Sequence, residues 1–394
     1  MKHIETAHFY SRLYDKEEQR PYSGQLELTY RCDLDCIHCY CKGSEEVPSH
    51  RSQVADHRSK LTEETFPKKK ELTTIQWKRI LDEVQKEGCL CLTLTGGEPL
   101  IRDDFLEIYG YAKRLGFIIT IFTNGQSLTN EIIDYLEKYP PFSIEITLNG
   151  ITKNTYESIT RVDGSFERVM ENIRALRARR LPLIIKANCL KQNRHEIAKI
   201  KQWAEDLLGK SAKMTEMCDV RPETCDIRKY NFKYDPMIFP RLNGDRAPCE
   251  HRLSFEELTQ LRRQDPDIWG EYREGCEAGL PDLTREARFL YRCNAWMKHF
   301  FINPYGRLKF CQFSEKFSVD LRETSFHEGF YRAFPKLLTP TFTTDSRCQH
   351  CSLRPLCYHC PARAYLETGN EEAPVPYYCE LAKHIADQIK LLNC

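Results

Sequence analysis

QLELTYRCDLDCIHCYC, residues 25–41, begins as an alternating apolar strand and runs directly into closely spaced cysteines. Three residues separate Cys32 from Cys36, two separate Cys36 from Cys39, and Cys41 follows as a fourth thiol. Further apolar runs downstream predict strands in the same way, and they are CLCLTLT (89–95), FIITIFT (117–123), SIEITLN (143–149), LIIKANCL (183–190) and KMTEMCDV (213–220). Helical patterns separate these runs, with Thr73 and Ser165 as the expected N-caps of two of the helices.

This alternation of strands and helices predicts an α/β fold. It indicates right-handed βαβ units and a parallel sheet covered by helices. Because about six units fit before residue 225, we expect a partial (β/α)6 barrel rather than a full eight-stranded one. In such a sheet the functional groups collect on the loops after the strands. The cysteines, GGEPL (96–100), TNG (123–125) and NG (149–150) all follow predicted strands, so we expect them on one face.

Bulk composition narrows the class of protein. The 394 residues, 41% hydrophobic and 29% charged, are enough for a substantial core and more than one domain. A net charge of +1 argues against bulk nucleic acid as a partner. The sequence has no apolar run long enough for a membrane span, and its polar start does not resemble a secretory signal, so we expect a cytoplasmic protein. In that reducing compartment, 19 cysteines point to metal ligation or thiol chemistry.

The spacing of the first cysteines leaves three interpretations open. A structural zinc site takes four ligands, usually as two close pairs, and these three thiols do not form such pairs, although Cys41 or His38 could complete a site. Three thiolates can instead hold a cubane iron–sulfur cluster that keeps one iron open. Redox-active thiols are the third interpretation. The spacing favours the cluster.

The combination of Cys-x-x-x-Cys-x-x-Cys after the first strand with GGEP after the second resembles the radical S-adenosylmethionine (SAM) enzymes. The resemblance covers roughly residues 25–220 and implies a [4Fe-4S] cluster on Cys32, Cys36 and Cys39, whose open iron chelates the amino and carboxylate groups of SAM. One-electron reduction, by a donor such as flavodoxin or ferredoxin, then gives methionine and a 5′-deoxyadenosyl radical. This radical removes a hydrogen atom from a substrate.

The GGEP residues suit contact with that cofactor. Gly96 and Gly97 let the chain pass close to the ligand, and Pro99 stiffens the turn. Glu98 is predicted to accept a hydrogen bond from the methionine ammonium group.

Other candidate SAM contacts follow from the resemblance. His38 occupies the family's usually aromatic position, whose segment flanks the adenine, unless the ring is merely packed. Thr147 and Asn149 replace the family's frequent Ser-x-Asp, which keeps hydrogen bonding but removes a negative charge. Arg161 either pairs with the methionine carboxylate or is a surface charge. We take Cys41 as a non-ligand.

A second cysteine pattern lies near the carboxyl end. FFINPYGRLKFC (300–311) predicts a β-hairpin that turns at 303–306, and CQHCSLRPLCYHCP follows at 348–361. The region resembles the SPASM extension of radical SAM enzymes, which carries auxiliary iron–sulfur clusters, and a zinc ribbon is the alternative. The cysteines that carry the resemblance are Cys293, Cys311, Cys348, Cys351, Cys357, Cys360 and Cys379. Cys357 and Cys360 are two residues apart, where three is the family's commoner spacing.

These cysteines are predicted to hold two auxiliary clusters. Cys360 precedes a proline, and in two-cluster ferredoxins the cysteine of such a pair ligates the other cluster. The resemblance likewise implies an outer and an inner cluster, the outer held by Cys348, Cys351, Cys357 and Cys379 and the inner by Cys293, Cys311 and Cys360. Ala287 occupies the position where some members place a fourth inner thiolate. Cys276 is then the nearest upstream candidate, and without it one iron stays open.

The sequence predicts four regions: an N-terminal extension (1–24), the partial barrel (25–225), a linker (226–290) and the SPASM domain (291–394). The polar segment 44–72 is predicted to be either a lid or substrate-binding loop, or disordered. Only about thirty residues precede Cys32, too few for the fused winged-helix domain of some maturases. A peptide would then be recognised by a separate protein or by the barrel itself.

SPASM members act mainly on peptides and proteins, so the resemblance implies a maturase that crosslinks a ribosomally synthesised peptide. A small-molecule or haem-type substrate is the alternative. The non-enzyme hypothesis is an iron–sulfur protein for electron transfer or assembly, but it leaves GGEP beside an open-site cluster unexplained.

Overall fold

The computed structural model describes residues 19–43, 70–209, 231–265, 269, 290–291, 295–314, 317–337 and 341–391. The predicted strand at 213–220, Cys276, Cys293 and most of the 44–72 segment lie outside these residues.

Within the described residues, six parallel strands form the barrel sheet, adjacent to one another in chain order. They are β1 (Ser23–Glu27), β2 (Cys91–Thr95), β3 (Ile118–Thr123), β4 (Ser143–Thr147), β5 (Leu183–Asn188) and β6 (Phe232–Asp235). The helices between them are α1 (Thr74–Lys86), α2 (Phe105–Arg114), α3 (Asn130–Lys138), α4 (Lys153–Thr160), α5 (Ser165–Ala178) and α6 (Ile197–Leu208). The predicted α/β partial barrel is therefore confirmed, and its sixth described strand lies in the segment expected to be linker.

The N-cap of one helix was predicted correctly from local sequence, and the N-cap of another was not. Thr73 caps α1 through a capping box with Gln76, as the sequence predicts, and the helix buries Trp77 against the sheet. Ser165 is not the cap of α5. That cap is Gly164, whose φ of 75° suits a residue without a Cβ, while the Ser165 hydroxyl shares a 3.0 Å hydrogen bond with that of Thr160.

The barrel strands have one apolar and one polar face. Leu26, Leu94, Ile121, Ile146 and Ile185 are fully buried in one core with helix side chains, and each buried aliphatic side chain contributes about 1.5–3 kcal/mol. The alternating residues on the other, inner face are mostly polar, so this face carries side chains that can form hydrogen bonds with a ligand.

The C-terminal region is built onto the edge of the barrel. Strand β7 (His299–Ile302) pairs in parallel with β1, and β8 (Arg307–Lys309) and β9 (Ser318–Asp320) continue the sheet in antiparallel fashion. The predicted hairpin is confirmed, with Gly306 at a φ of 78° in its turn. The remaining α-helices of the described residues are α7 (Phe255–Gln264), α8 (Ala295–Lys298), α9 (Phe334–Leu337), α10 (Pro361–Thr368) and α11 (Pro376–Leu391). Among the described helices, none combines the length and apolarity that a membrane crossing needs.

A buried ion pair joins the segment after β6 to α10. Arg252 contacts Glu367 through two nitrogen–oxygen hydrogen bonds of 2.6 and 3.2 Å, and the two side chains are 6% and 1% exposed. The guanidinium Nε donates to the carbonyl oxygen of Ile238 at 2.8 Å, and its carbon lies 4.3 Å from the Tyr377 ring centroid. Because both charges are paired and hydrogen-bonded, this contact fixes α10 relative to the segment after the barrel.

Candidate functional site

The cysteine loop follows β1 at the carboxyl ends of the strands. It is fastened to the end of α4, because the amides of Asp35 and Ile37 donate to the carbonyl oxygens of Thr160 and Ile159 at 3.0 Å each. Burial raises the pKa of the Cys36 thiol, and the fields of Cys39 and Cys32 raise it further. The three thiols therefore interact within one loop.

Gly96 and Gly97 pack against the first residues of this loop. The amide of Gly97 donates to the carbonyl oxygen of Thr29 at 2.7 Å. A Cβ on Gly96 would lie 2.1 Å from that same oxygen, and one on Gly97 would lie 2.3 Å from the carbonyl oxygen of Arg31. No larger side chain fits at either position. These glycines therefore allow the backbone of the GGEP loop to lie close to the backbone of the cysteine loop.

Glu98 is fully buried and its carboxylate binds the end of β3. Oε1 accepts from the amide of Leu100 at 3.0 Å and the hydroxyl of Thr123 at 2.8 Å, and Oε2 accepts from the amide of Asn124 at 2.7 Å. Burial raises the Glu98 pKa to about 7, although these hydrogen bonds oppose the shift. A carboxylate has about four acceptor positions, so one is left for another donor.

Cys39 is the thiol closest to ionisation in the loop. A hydrogen bond from the Cys41 thiol is the main cause that lowers its pKa to about 7, with help from the amides of Cys41 and Lys42. Cys41 itself is buried behind the loop, with its sulfur 3.9 Å from the carbonyl oxygen of Gly96. Soft thiolates on one loop are the donor set that an iron–sulfur cluster takes. Over the described residues, no three or more His, Cys, Asp and Glu side chains are arranged to enclose a single metal ion.

His38 joins the cysteine loop to the ends of β4 and β5. Its Nε2 lies 3.0 Å from Nδ2 of Asn188 and 3.4 Å from Nδ2 of Asn149. Burial, with the field of His251, lowers the His38 pKa to about 4, so the ring is neutral at pH 7. Since both amides donate to Nε2, the proton is on Nδ1, which is buried without a partner among the described residues.

The remaining predicted contacts lie around this point. Asn149 is buried, and its Oδ1 accepts from the amide of Asn188 at 2.8 Å. Thr147 is the last residue of β4, in register with Lys186. Arg161 is exposed at the end of α4, with a left-handed φ of 59°. The sequence analysis missed Asn188. Its position as the polar last residue of β5 is the signal that could have identified it, whereas Asn149 was identified from the family's Ser-x-Asp pattern.

The inner face of the barrel beneath these loops is polar and carries both signs of charge. Glu145 pairs with Lys186 at 3.3 Å and with Lys233 at 3.4 Å, and the Lys186 ammonium lies 3.3 Å from the Phe122 ring centroid. On the β1 side, Glu27 accepts hydrogen bonds from two tyrosine hydroxyls, at 2.8 and 3.0 Å. The face therefore offers hydrogen-bond donors and acceptors together with charge.

The C-terminal cysteines fall into two groups. Burial raises the pKa of Cys357 to about 11, and the fields of Cys379, Cys348 and Cys351 add to the shift, so these four thiols are neighbours. The fields of Cys360 and Cys311 instead raise the pKa of Tyr291, after its burial and its contact with Glu371. The first four are the cysteines of the predicted outer set, and Cys311 and Cys360 are the two described members of the predicted inner set, whose Cys293 lies outside the described residues. Ligation by any of these cysteines stays a prediction.

Comparisons with known proteins agree with this architecture. Residues 26–204 match the family model described as the Radical SAM superfamily. An AdoMet-dependent heme synthase of Methanosarcina barkeri is 27% identical over 363 residues, which are 89% of this chain and 94% of that protein. A PqqA peptide cyclase of Bradyrhizobium diazoefficiens is 28% identical over 187 residues, which are 48% of this chain and 44% of that protein.

Solved structures share the fold at low sequence identity. SuiB of Streptococcus suis bound to S-adenosylmethionine superposes with a TM-score of 0.62 and 14% identity, covering 94% of this chain and 78% of that one. Its complex with the precursor peptide SuiA gives the same TM-score of 0.62 at 16% identity, with the same coverage of both chains.

Proposed function

Because residues 26–204 match the Radical SAM superfamily model, we propose that this chain is a radical SAM enzyme that uses a [4Fe-4S] cluster on Cys32, Cys36 and Cys39 to act on a peptide. Cys32, Cys36 and Cys39 would hold this cluster, and the chemistry it would supply is the one-electron reduction of SAM that yields methionine and a 5′-deoxyadenosyl radical for hydrogen abstraction from the substrate. Flavodoxin or ferredoxin is the proposed donor of that electron.

The chain's own residues hold and orient the cofactor in this proposal. Gly96 and Gly97 hold the cysteine loop by backbone packing. Glu98 offers its remaining acceptor position to the methionine ammonium group. His38 donates a hydrogen bond from its buried Nδ1–H to an acceptor of the cofactor. Arg161 forms an ion pair with the methionine carboxylate. The auxiliary clusters of the C-terminal region belong to the same proposal.

The polar inner face is the observation that carries the choice of a peptide. A peptide brings an amide donor and acceptor at nearly every residue, and Glu145, Lys186 and Lys233 provide charged partners. A flat macrocycle would instead be expected to need a mainly apolar lining. The names of two similar proteins, PqqA peptide cyclase and SuiB with its precursor peptide SuiA, support the same class of substrate. We propose a crosslink as the product, with recognition by the barrel or by a separate protein.

A haem-type substrate is the second candidate. The Methanosarcina barkeri heme synthase aligns with 89% of this chain and over 94% of its own length, whereas the PqqA peptide cyclase aligns with 48% of this chain and over 44% of its own length.

Mass spectrometry separates the two candidates. We expect reduced enzyme with SAM to form 5′-deoxyadenosine and to remove one hydrogen from each of two atoms in a precursor peptide encoded beside its gene. The same assay contains an iron porphyrin with propionate side chains as competitor. Conversion of the porphyrin with an unchanged peptide would favour the second candidate, and absence of 5′-deoxyadenosine would exclude radical SAM chemistry.

Replacing Glu98 with glutamine tests the proposed ammonium contact. A hydrogen bond to a charged group contributes about 1–3 kcal/mol, so we expect SAM to bind roughly 5- to 150-fold more weakly to Glu98→Gln. Equilibrium dialysis against the iron-loaded variant measures this change, with iron content as the check that the cysteine loop is intact. Glu107→Gln is the matched control, because Glu107 is 57% exposed on α2. An unchanged Kd for Glu98→Gln would contradict the contact.

A further inference from the structure

We infer that Asn124 is a positioning residue that donates a hydrogen bond to the sulfur of Cys32 and raises the reduction potential of the cluster held there. The inference rests on the proposed function only in taking Cys32 as a cluster ligand. Asn124 Nδ2 lies 3.5 Å from Cys32 Sγ and 2.6 Å from Oδ1 of Asp33. Since a side-chain amide carries two N–H donors, one hydrogen can serve each partner.

The contacts of Asn124 determine which way its amide faces. The backbone amide of Asn124 donates to the buried Glu98 carboxylate at 2.7 Å, which fixes the backbone. Oδ1 of Asn124 accepts from the backbone amide of Gln126 at 2.8 Å. Because an N–H needs an acceptor, this contact assigns the oxygen and leaves the amide nitrogen toward Cys32 and Asp33.

Asp33 is held independently of Asn124. The hydroxyl of Ser127 donates to its second oxygen, Oδ2, at 2.6 Å. The Asp33 carboxylate therefore stays beside the loop, with Oδ1 3.8 Å from Cys32 Sγ, whether or not the amide is present. Ser127 lies in the same loop as Asn124 and shares one of its partners, but has no hydrogen bond to the sulfur among its described contacts.

The electrostatic effect of the amide follows from charge. A reduced cluster carries one more negative charge than an oxidised cluster, so an N–H donor to a ligand sulfur stabilises the reduced state more. The nearby Asp33 carboxylate acts in the opposite direction, because a negative charge disfavours an added electron. Asn124 offsets the carboxylate, and without its amide the cluster is harder to reduce.

Redox titration of the full-length, iron-loaded enzyme tests the inference without any substrate. The cluster at Cys32 is identified as the EPR signal that changes on addition of SAM, which separates it from other clusters. We expect Asn124→Ala to lower the ratio of reduced to oxidised cluster about tenfold at a fixed potential, equivalent to about 59 mV for one electron. Glu107→Gln, at an exposed position on α2, is again the control, and its ratio should equal that of the wild type.

Asn124→Asp provides an isosteric second variant. It keeps an oxygen for the Gln126 amide but replaces the donor with a negative charge, so we expect a larger decrease than with alanine. An unchanged ratio in both variants, or loss of the cluster from both, would overturn the inference, the latter by assigning Asn124 to the structure of the loop. A wild-type enzyme with no EPR signal that responds to SAM would instead overturn the proposed function.

Discussion

Simultaneous replacement of Cys32, Cys36 and Cys39 with alanine is expected to abolish 5′-deoxyadenosine formation and to leave iron bound at the C-terminal cysteines. The physical reason is that the three thiols lie on one loop, and without thiolates an iron–sulfur cluster has no ligands there. The C-terminal cysteines lie on other segments of the chain, so the auxiliary clusters that we propose there would keep their ligands. Chromatography of the nucleoside product, with iron and sulfide analysis of the protein, measures both expectations.

A remote cysteine provides the control for that variant. Cys91 is the first residue of β2, at the opposite end of the strand from the GGEP loop, so Cys91→Ala should form 5′-deoxyadenosine at the wild-type rate. Undiminished product from the triple variant would refute the assignment of the cluster to this loop. Loss of all iron from the triple variant would show that the two ligand sets depend on one another.

The Arg252→Ala variant is expected to have the largest effect on stability. The substitution leaves Glu367 buried with its charge unpaired, and breaking such a pair costs about 3–5 kcal/mol. It also removes the contact with the Tyr377 ring. For a chain of this length, the loss corresponds to a thermal unfolding midpoint lower by roughly 4–6 °C. Calorimetry of the iron-loaded protein at one scan rate measures it.

Two further variants separate the buried pair from an ordinary charge effect. Lys153 pairs with Glu167 on the surface, where the side chains are 57% and 50% exposed, and its replacement with alanine should change stability by less than about 1 kcal/mol. The double variant Arg252→Met, Glu367→Leu removes both charges and should recover most of the stability that Arg252→Ala loses. If the unfolding midpoint of Arg252→Ala is no lower than that of Lys153→Ala, the Arg252–Glu367 pair does not stabilise the contact between α10 and the segment after β6.

Local patterns in the sequence predicted the first five strands, the cap of α1 and the C-terminal hairpin. Alternating apolar residues, a capping box and a turn with glycine act within a few residues, so neighbouring sequence is sufficient for them. The cap of α5 was wrong by one residue, because Gly164 adopts the left-handed conformation and the hydroxyl of Ser165 is used by Thr160.

The positions of β6 and β7 in the sheet could be identified only from the tertiary structure. Strand β6 is only four residues long, FKYD, and is defined by its pairing with β5, in which Phe232 lies beside Ile185. Strand β7 lies next to β1, and Phe301 pairs with Gln25. Parallel pairing between segments so far apart leaves no periodic signal in either one, since each strand shows only its own alternation.

Some features of the candidate site were also predictable from the sequence, and others only from the tertiary structure. Spacing alone identified the three thiols on one loop, because ligands a few residues apart need little more than a turn to converge. Only the folded chain showed that Glu98 accepts from Thr123 and Asn124, that the Asn124 amide reaches Cys32, and that His38 contacts Asn188. These partners come from different strand ends and meet because a parallel sheet places its carboxyl edges side by side. Hydrogen bonds across such an edge depend on geometry between loops, which no local sequence pattern records.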